Sequence, residues 1–256
     1  MYILNNIFKC QFLSLKCLHL QNVTNKVMNY LFRCLLFFVT NVLIIHHSFA
    51  QVQTIADVKI YQNIVKKNKA FQLKKIDNSF KNIQIDLAYA SVHNFTKEAV
   101  YPLHLEYTFL SRPAYKALQK INKNLRKQGL GIKVFDAYRP HRATVKFWQL
   151  VPDERYAANP IKGSNHNRGL AIDLTLYDLK TGKDLDMGTG FDNFTEKAHH
   201  NYLLFSNEIL KNRKVLKNIM EKFGFKSLET EWWHYTFNTK TKYPIWDIDF
   251  ETLNRN

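Results

Sequence analysis

Two short segments of this chain carry residues that could do chemistry together. Ser164-Asn165-His166-Asn167-Arg168-Gly169-Leu170-Ala171-Ile172-Asp173 offers an imidazole and a carboxylate. Glu231-Trp232-Trp233-His234 offers a second imidazole, with a spare carboxylate three residues before it. Two imidazoles and one carboxylate around an ion, a fourth position for water and a general base alongside form the inventory of a hydrolytic zinc site. A lone histidine is more often a surface or satisfied core residue, but His, Asp and Glu-x-x-His together are far more specific. The expectation is therefore one Zn2+ per chain on His166, Asp173 and His234. Glu231 would take a proton from the attacking water and pass it to the leaving amine. Arg139, in Asp136-Ala137-Tyr138-Arg139-Pro140, is a further candidate, because a guanidinium there could stabilise the oxyanion of a tetrahedral intermediate. Its plainer alternative is an ion pair with Asp136.

These groups need a scaffold, and hydrophobic periodicity supplies one. Period-two alternation predicts strands at residues 83–89 and 132–138, the second ended by Arg139-Pro140. A third strand at 170–177 carries Asp173, and a fourth at 232–237 carries His234. In an extended strand, residues three apart face opposite ways, which places Glu231 at the bend entering the last strand. Helical spacing marks 113–128, closed by Gly129, and 206–223, stopped by Gly224, with a shorter helix at 144–150. Residues 51–82 read as a short helix and an irregular lead-in. Strands and helices mix without a βαβ rhythm, so the expected fold class is α+β: a single domain whose small, mostly antiparallel sheet is flanked by helices, with the zinc site at the sheet edge.

The N-terminal region differs from the rest. Residues 1–50 hold all three cysteines, Cys10, Cys17 and Cys34, and no acidic residue. An apolar stretch from Leu31 to Ile45 leads to Ser48 and Ala50, small residues at the −3 and −1 positions of a signal-peptidase cut after Ala50. The expected organisation is an over-long start or extension at 1–27, a signal peptide at 28–50 and the zinc domain at 51–256. The apolar run is short for a spanning helix, so no stable membrane span should survive cleavage. The cut removes Lys9, Lys16, Lys26 and Arg33, taking the formal charge from +16 to +12, and it leaves no cysteine. That excludes a disulfide scaffold, a thiol nucleophile and a cysteine-bound metal. Basic residues are spread among acids and aromatics without a nucleic-acid motif, so a solvated basic surface is favoured and no nucleic-acid partner is expected.

Further segments stand in a fixed order: Tyr89-Ala90-Ser91-Val92-His93-Asn94-Phe95-Thr96, Phe135 to Pro140, Ser164 to Leu176, and Asp186-Met187-Gly188-Thr189-Gly190-Phe191-Asp192. His199-His200, Asn212-Arg213, Gly224-Phe225 and Glu231 to His234 follow. This set resembles the D-alanyl-D-alanine dipeptidases of the VanX type, zinc peptidases grouped with D-Ala-D-Ala carboxypeptidases, from about residue 89 to 237. The resemblance implies the same three ligands, Glu231 as base and Arg139 at the transition state. It adds Ser164 and Tyr89 as lining of the dipeptide pocket, Asp192 as partner of the substrate ammonium, and a structural role for His199 and His200. Ser91 and Lys97 depart from the family's usual Thr and Gly, and the segment after His234 is less typical.

The implied function is hydrolysis of the D-alanyl-D-alanine dipeptide to two D-alanines in cell-wall peptide turnover, with a small closed pocket suited to free dipeptides. The alternatives are a carboxypeptidase acting on peptidoglycan stem peptides and a non-catalytic, zinc-stabilised domain binding wall peptides. Glu231 argues against the second, since a structural site gains nothing from a base. The signal peptide implies export, to a periplasm, where the basic surface could touch anionic wall polymers.

Overall fold

The computed structural model describes Met28 and residues 30–33 and 53–255. Contacts divide the chain into Met1–Gln51 and Val52–Asn256. In the first unit the described residues are helical and exposed, and most of the expected extension and signal segment lies outside the described residues. Among the described residues, no helix is long and apolar enough to cross a membrane.

The second unit is built on a five-stranded sheet. Its strands are β3 (Ile83–Ile85), β5 (Leu130–Asp136), β6 (Ala171–Asp178), β7 (Phe225–Leu228) and β8 (Glu231–Phe237), in the order β3-β5-β6-β8-β7. Only the β3–β5 pair is parallel. Two small ribbons flank it: β1 (Thr54–Ile55) with β9 (Ile245–Trp246), and β2 (Leu73–Asp77) with β4 (Tyr107–Ser111). The α+β class and the mostly antiparallel sheet are as expected.

β6 is the central strand and is buried almost throughout, which explains its continuous apolar run broken only by Asp173 and Thr175. Helix α1 (Val58–Lys67) opens the unit, capped by the Asp57 carboxylate. Helix α2 (Arg112–Arg126) begins with Pro113 in its first turn and buries Ala114, Ala117, Leu118, Ile121 and Leu125, a stripe at helical spacing, against β5. Helix α3 (His141–Leu150) follows the Arg139-Pro140 corner. Helix α4 (Asn207–Lys222) is capped by the Ser206 hydroxyl and packs on β7 and β8. A short α5 (Phe250–Asn254) ends the unit.

Three features differ from the sequence expectation. Residues 73–77, expected within an irregular lead-in, form β2 and pair with β4. The strand expected at 83–89 stops at Ile85, and Ala88–Ala90 forms a tight 3-10 turn that points Tyr89 inward. The candidate ligands are not at the sheet edge. Asp136 of β5 pairs with Asp173 of β6, and Asp173 pairs with His234 of β8, so the three form one row across inner strands. The reason is that β7 adds itself outside β8 and makes β8 an interior strand.

Candidate metal centre and cleft

The row across the sheet decides which side chains meet. Residues directly opposite in paired strands share a face, so Asp173 and His234 project to the same side. His234 Nδ1 lies 2.9 Å from Asp173 Oδ1. The second imidazole arrives on the 3-10 turn His166–Arg168, which ends at Gly169 in the left-handed region (φ 64°). A Cβ at Gly169 would meet Leu73 at 2.4 Å and the Ser111 backbone nitrogen at 3.0 Å. Only glycine fits both the backbone angle and the close approach of β4. That turn brings His166 Nε2 to 3.2 Å from His234 Nδ1 and 3.4 Å from Asp173 Oδ2.

Hydrogen bonds on the far side of each ring fix its orientation. His166 Nδ1 donates to the Ala137 carbonyl at 2.7 Å, which leaves Nε2 as the bare nitrogen facing the cluster. His234 Nε2 stands 3.2 Å from Thr236 Oγ1, which holds the ring with Nδ1 toward the cluster. Two imidazole nitrogens and a carboxylate therefore converge on one point, a donor set that a cation would satisfy. Tetrahedral zinc with bonds of about 2.0–2.1 Å holds its ligand atoms about 3.3 Å apart. The three separations here bracket that value, and among the described residues this is the His/Asp cluster suited to a metal. Burial raises the Asp173 pKa, but the two imidazoles outweigh it and leave the carboxyl well below its usual range, ionised as a ligand must be.

Glu231 is the first residue of β8 and pairs with Leu228 across the β7–β8 turn, where the register slips by a residue. The irregularity re-aims its carboxylate, as β-bulges do, and Oε2 comes to 3.8 Å from His234 Nδ1. Burial lifts its pKa to about 7, against the pull of His234, so it can exchange a proton near neutral pH.

Arg139 makes the ion pair of its plainer reading and also lines the cleft. Its Nε and Nη2 donate to Asp136 Oδ2 at 3.0 and 2.8 Å, while its guanidinium covers Phe147 at 4.7 Å and Tyr89 at 5.6 Å on the cleft wall. Burial works against its charge, and the Asp136 carboxylate more than restores it. Asp136 also accepts from the Tyr101 hydroxyl at 2.9 Å, so the pair is held from two directions.

At the end of the cleft beyond Glu231, the Tyr89 hydroxyl donates to both Asp192 oxygens, at 3.2 and 3.0 Å. Desolvation and the nearby Asp173 charge push the Asp192 carboxyl well above its usual range. Its backbone is left-handed (φ 56°), and the neighbouring Phe191 ring packs against Phe135 and Trp233. Ser164 lines the cleft and its hydroxyl accepts from the His166 amide at 3.2 Å, capping the ligand-bearing turn. All eight expected site residues line this one cleft, of about 630 Å3. It runs from Asp192 past the cluster along β8 to Asn238 and the exposed Lys242, so it is roomier than the small closed pocket expected.

The structure adds residues that sequence reasoning passed over. The buried Asn167 carboxamide accepts from Ser164 N at 2.7 Å and donates to the Arg139 carbonyl and Thr144 Oγ1, tying the His166 turn to the Arg139 corner. Thr236 orients His234. A two-residue offset on a strand, which puts Thr236 on the same face as His234, could have found it. His199 and His200 lie outside the cluster; their Nε2 atoms are buried without a hydrogen-bond partner, and burial with the nearby Lys217 and Arg213 charges lowers the His200 pKa to about 4.

Comparison with known proteins bears on most of this unit. The Peptidase_M15 family profile, described as D-ala-D-ala dipeptidase, matches residues 69–251. The chain is 38% identical over 166 residues to a D-alanyl-D-alanine dipeptidase of Escherichia coli (strain K12), covering 65% of this chain and 84% of that one. It is 34% identical over 193 residues to one from Enterococcus faecium, covering 68% and 95%. It is also 34% identical over 178 residues to one from Enterococcus faecalis (strain ATCC 700802 / V583), covering 62% and 88%. With the sheet, the cleft and the His/Asp cluster all inside the matched span, the chain belongs to the Peptidase_M15 family of D-ala-D-ala dipeptidases.

Proposed function

We propose that the protein hydrolyses free D-alanyl-D-alanine to two D-alanines, with one zinc ion on His166, Asp173 and His234. Bound there, zinc supplies Lewis acidity toward a peptide carbonyl and toward water. The dipeptide ammonium meets Asp192, steadied by the Tyr89 hydroxyl, and Ser164 lines the pocket beside it. Glu231 takes a proton from the attacking water and returns it to the departing amine. Arg139, held by Asp136, faces the oxygen on which negative charge develops.

The observation that carries this reading is the co-location of three metal donors, a raised-pKa carboxylate and an ammonium partner in one cleft. Because the cleft is roomy, selectivity for a free dipeptide rests on Asp192. An acylated amine brings no positive charge to Asp192 and so forgoes the ion pair that a free ammonium would make with this desolvated carboxyl. Export through the segment at 28–50, and a role in turnover of wall-derived dipeptide, belong to the same proposal. N-terminal sequencing of the protein from cells should then begin at Gln51.

The test is D-alanine release by the zinc-loaded protein from free D-Ala-D-Ala and from a stem pentapeptide ending in D-Ala-D-Ala, side by side. Rapid cleavage of the dipeptide alone supports the proposal. Preferential cleavage of the pentapeptide would move the enzyme to the carboxypeptidases, and silence on both would leave a binding domain.

A further inference from the structure

Asp192 needs explaining as a piece of structure before it can serve recognition. It sits in the stretch from Met187 to His199, outside every ladder of the sheet. Its left-handed backbone is uncommon for a non-glycine residue, though aspartate tolerates it better than most. The middle of the loop is fixed by Phe191, seated between Phe135 and Trp233. Its two shoulders are gathered by a single side chain from helix α4. Arg213 donates from Nε to the Met187 carbonyl at 2.7 Å, from Nη1 to the His199 carbonyl at 3.0 Å and from Nη2 to the Lys197 carbonyl at 2.8 Å.

The guanidinium suits this task because its donors form a rigid planar fork, which a lysine ammonium cannot reproduce. It is buried at 5% exposure beneath Phe205, 4.7 Å from the ring, and touches no candidate site residue through a hydrogen bond. Burial lowers its pKa to about 10, which leaves it charged at neutral pH. Gly188, at φ 81°, lets the entering shoulder pass where a Cβ would meet Phe205 at 2.7 Å. Trp232 Nε1 bonds Thr189 Oγ1 at 2.8 Å, so the same shoulder is also tied to β8 beside Glu231.

We propose that Arg213 is a positioning residue for substrate recognition: by clasping both ends of the 187–199 loop, it sets Asp192 at the ammonium end of the cleft. This rests on the reading of Asp192 as the ammonium partner. A clasp acting only through Asp192 controls how tightly the dipeptide binds and leaves the metal row and Glu231 untouched, since those stand on β6 and β8 and on the His166 turn.

The experiment is steady-state hydrolysis of free D-Ala-D-Ala by the zinc-loaded full chain as wild type, Arg213→Lys, Asp192→Asn and the double variant, with zinc content measured for each. The expected result for Arg213→Lys is a KM raised about tenfold, with kcat within about threefold and zinc unchanged. The double variant should match Asp192→Asn alone, because nothing is left to position. A loss in Arg213→Lys that falls on kcat or zinc content, or that multiplies fully with that of Asp192→Asn, would overturn the proposal and make Arg213 a stability residue. Amide hydrogen exchange separates this failure from failure of the ammonium reading. If Asp192→Asn leaves KM unchanged, the ammonium reading falls and the recognition role with it. Slow exchange at 187–199 in Arg213→Lys would refute the clasp itself. Should Arg213→Lys not fold, Asn212→Ala, which removes the neighbouring bond to the Asp186 carbonyl, should raise KM by a smaller factor in the same direction, and an unchanged KM would count against the clasp.

Discussion

The two ends of the cleft are built differently. At the metal end, Asp173 and His234 stand opposite each other on paired inner strands, and ladder hydrogen bonds fix their separation. At the other end, the proposed ammonium end, Tyr89 rides a 3-10 turn and Asp192 a loop in a left-handed conformation, held by side chains from elsewhere. Of the groups that need the finest placement, Asp173, His234 and Glu231 rest on the sheet and His166 on a turn pinned by Gly169. Recognition, which tolerates more and must admit and release substrate, rests on loops. Substitutions at the metal end should therefore act on zinc content and kcat, and those at the ammonium end on KM.

The largest effect is expected for Asp173→Ala. Losing the only charged ligand, and leaving two facing imidazoles unmatched, should reduce zinc below stoichiometry and kcat/KM by at least about a thousandfold. Elemental analysis beside an activity assay checks both. Glu231→Gln keeps the shape and removes the base, so kcat should fall about a thousandfold while zinc stays bound. Full activity in that variant would remove Glu231 from the mechanism.

Asp192→Asn sharpens the comparison from the other end. A charge-assisted hydrogen bond of about 1.5–3 kcal/mol corresponds to a KM increase of roughly 10- to 100-fold, with kcat little changed. An equal loss in kcat would mean that the ends are not separable. The smallest effect belongs to Thr236→Val, which removes the partner of His234 Nε2 but leaves the ligand. Zinc affinity should weaken about tenfold, read by competition with a chromogenic chelator, and KM at saturating zinc should not move.

The same contrast governs what could be read from the sequence. The metal end was legible because its residue types are chemically unusual together and lie on strands with clear periodicity, such as the apolar run around Asp173. Its place on inner strands was not, because β7, with the sequence Phe-Lys-Ser-Leu, is too short and too polar to announce itself, and it is what encloses β8. β2 and β4 were missed for a related reason. The lysines of Leu73–Asp77 mask a strand that pairs with one far along the chain, and no local pattern reports that pairing. At the ammonium end, Asp192 came only from resemblance, since nothing local marks a loop aspartate as facing a cleft. Asn167 escaped notice because its value lies in bridging Ser164, Arg139 and Thr144, partners joined only by folding.

The most direct test of the central claim, that the cluster of His166, Asp173 and His234 makes this chain a zinc dipeptidase, is D-alanine release from free D-Ala-D-Ala before chelation, after chelation and after return of stoichiometric zinc. Activity that disappears with the metal and returns with one zinc per chain is the expected result. Hydrolysis that survives removal of the metal would contradict it.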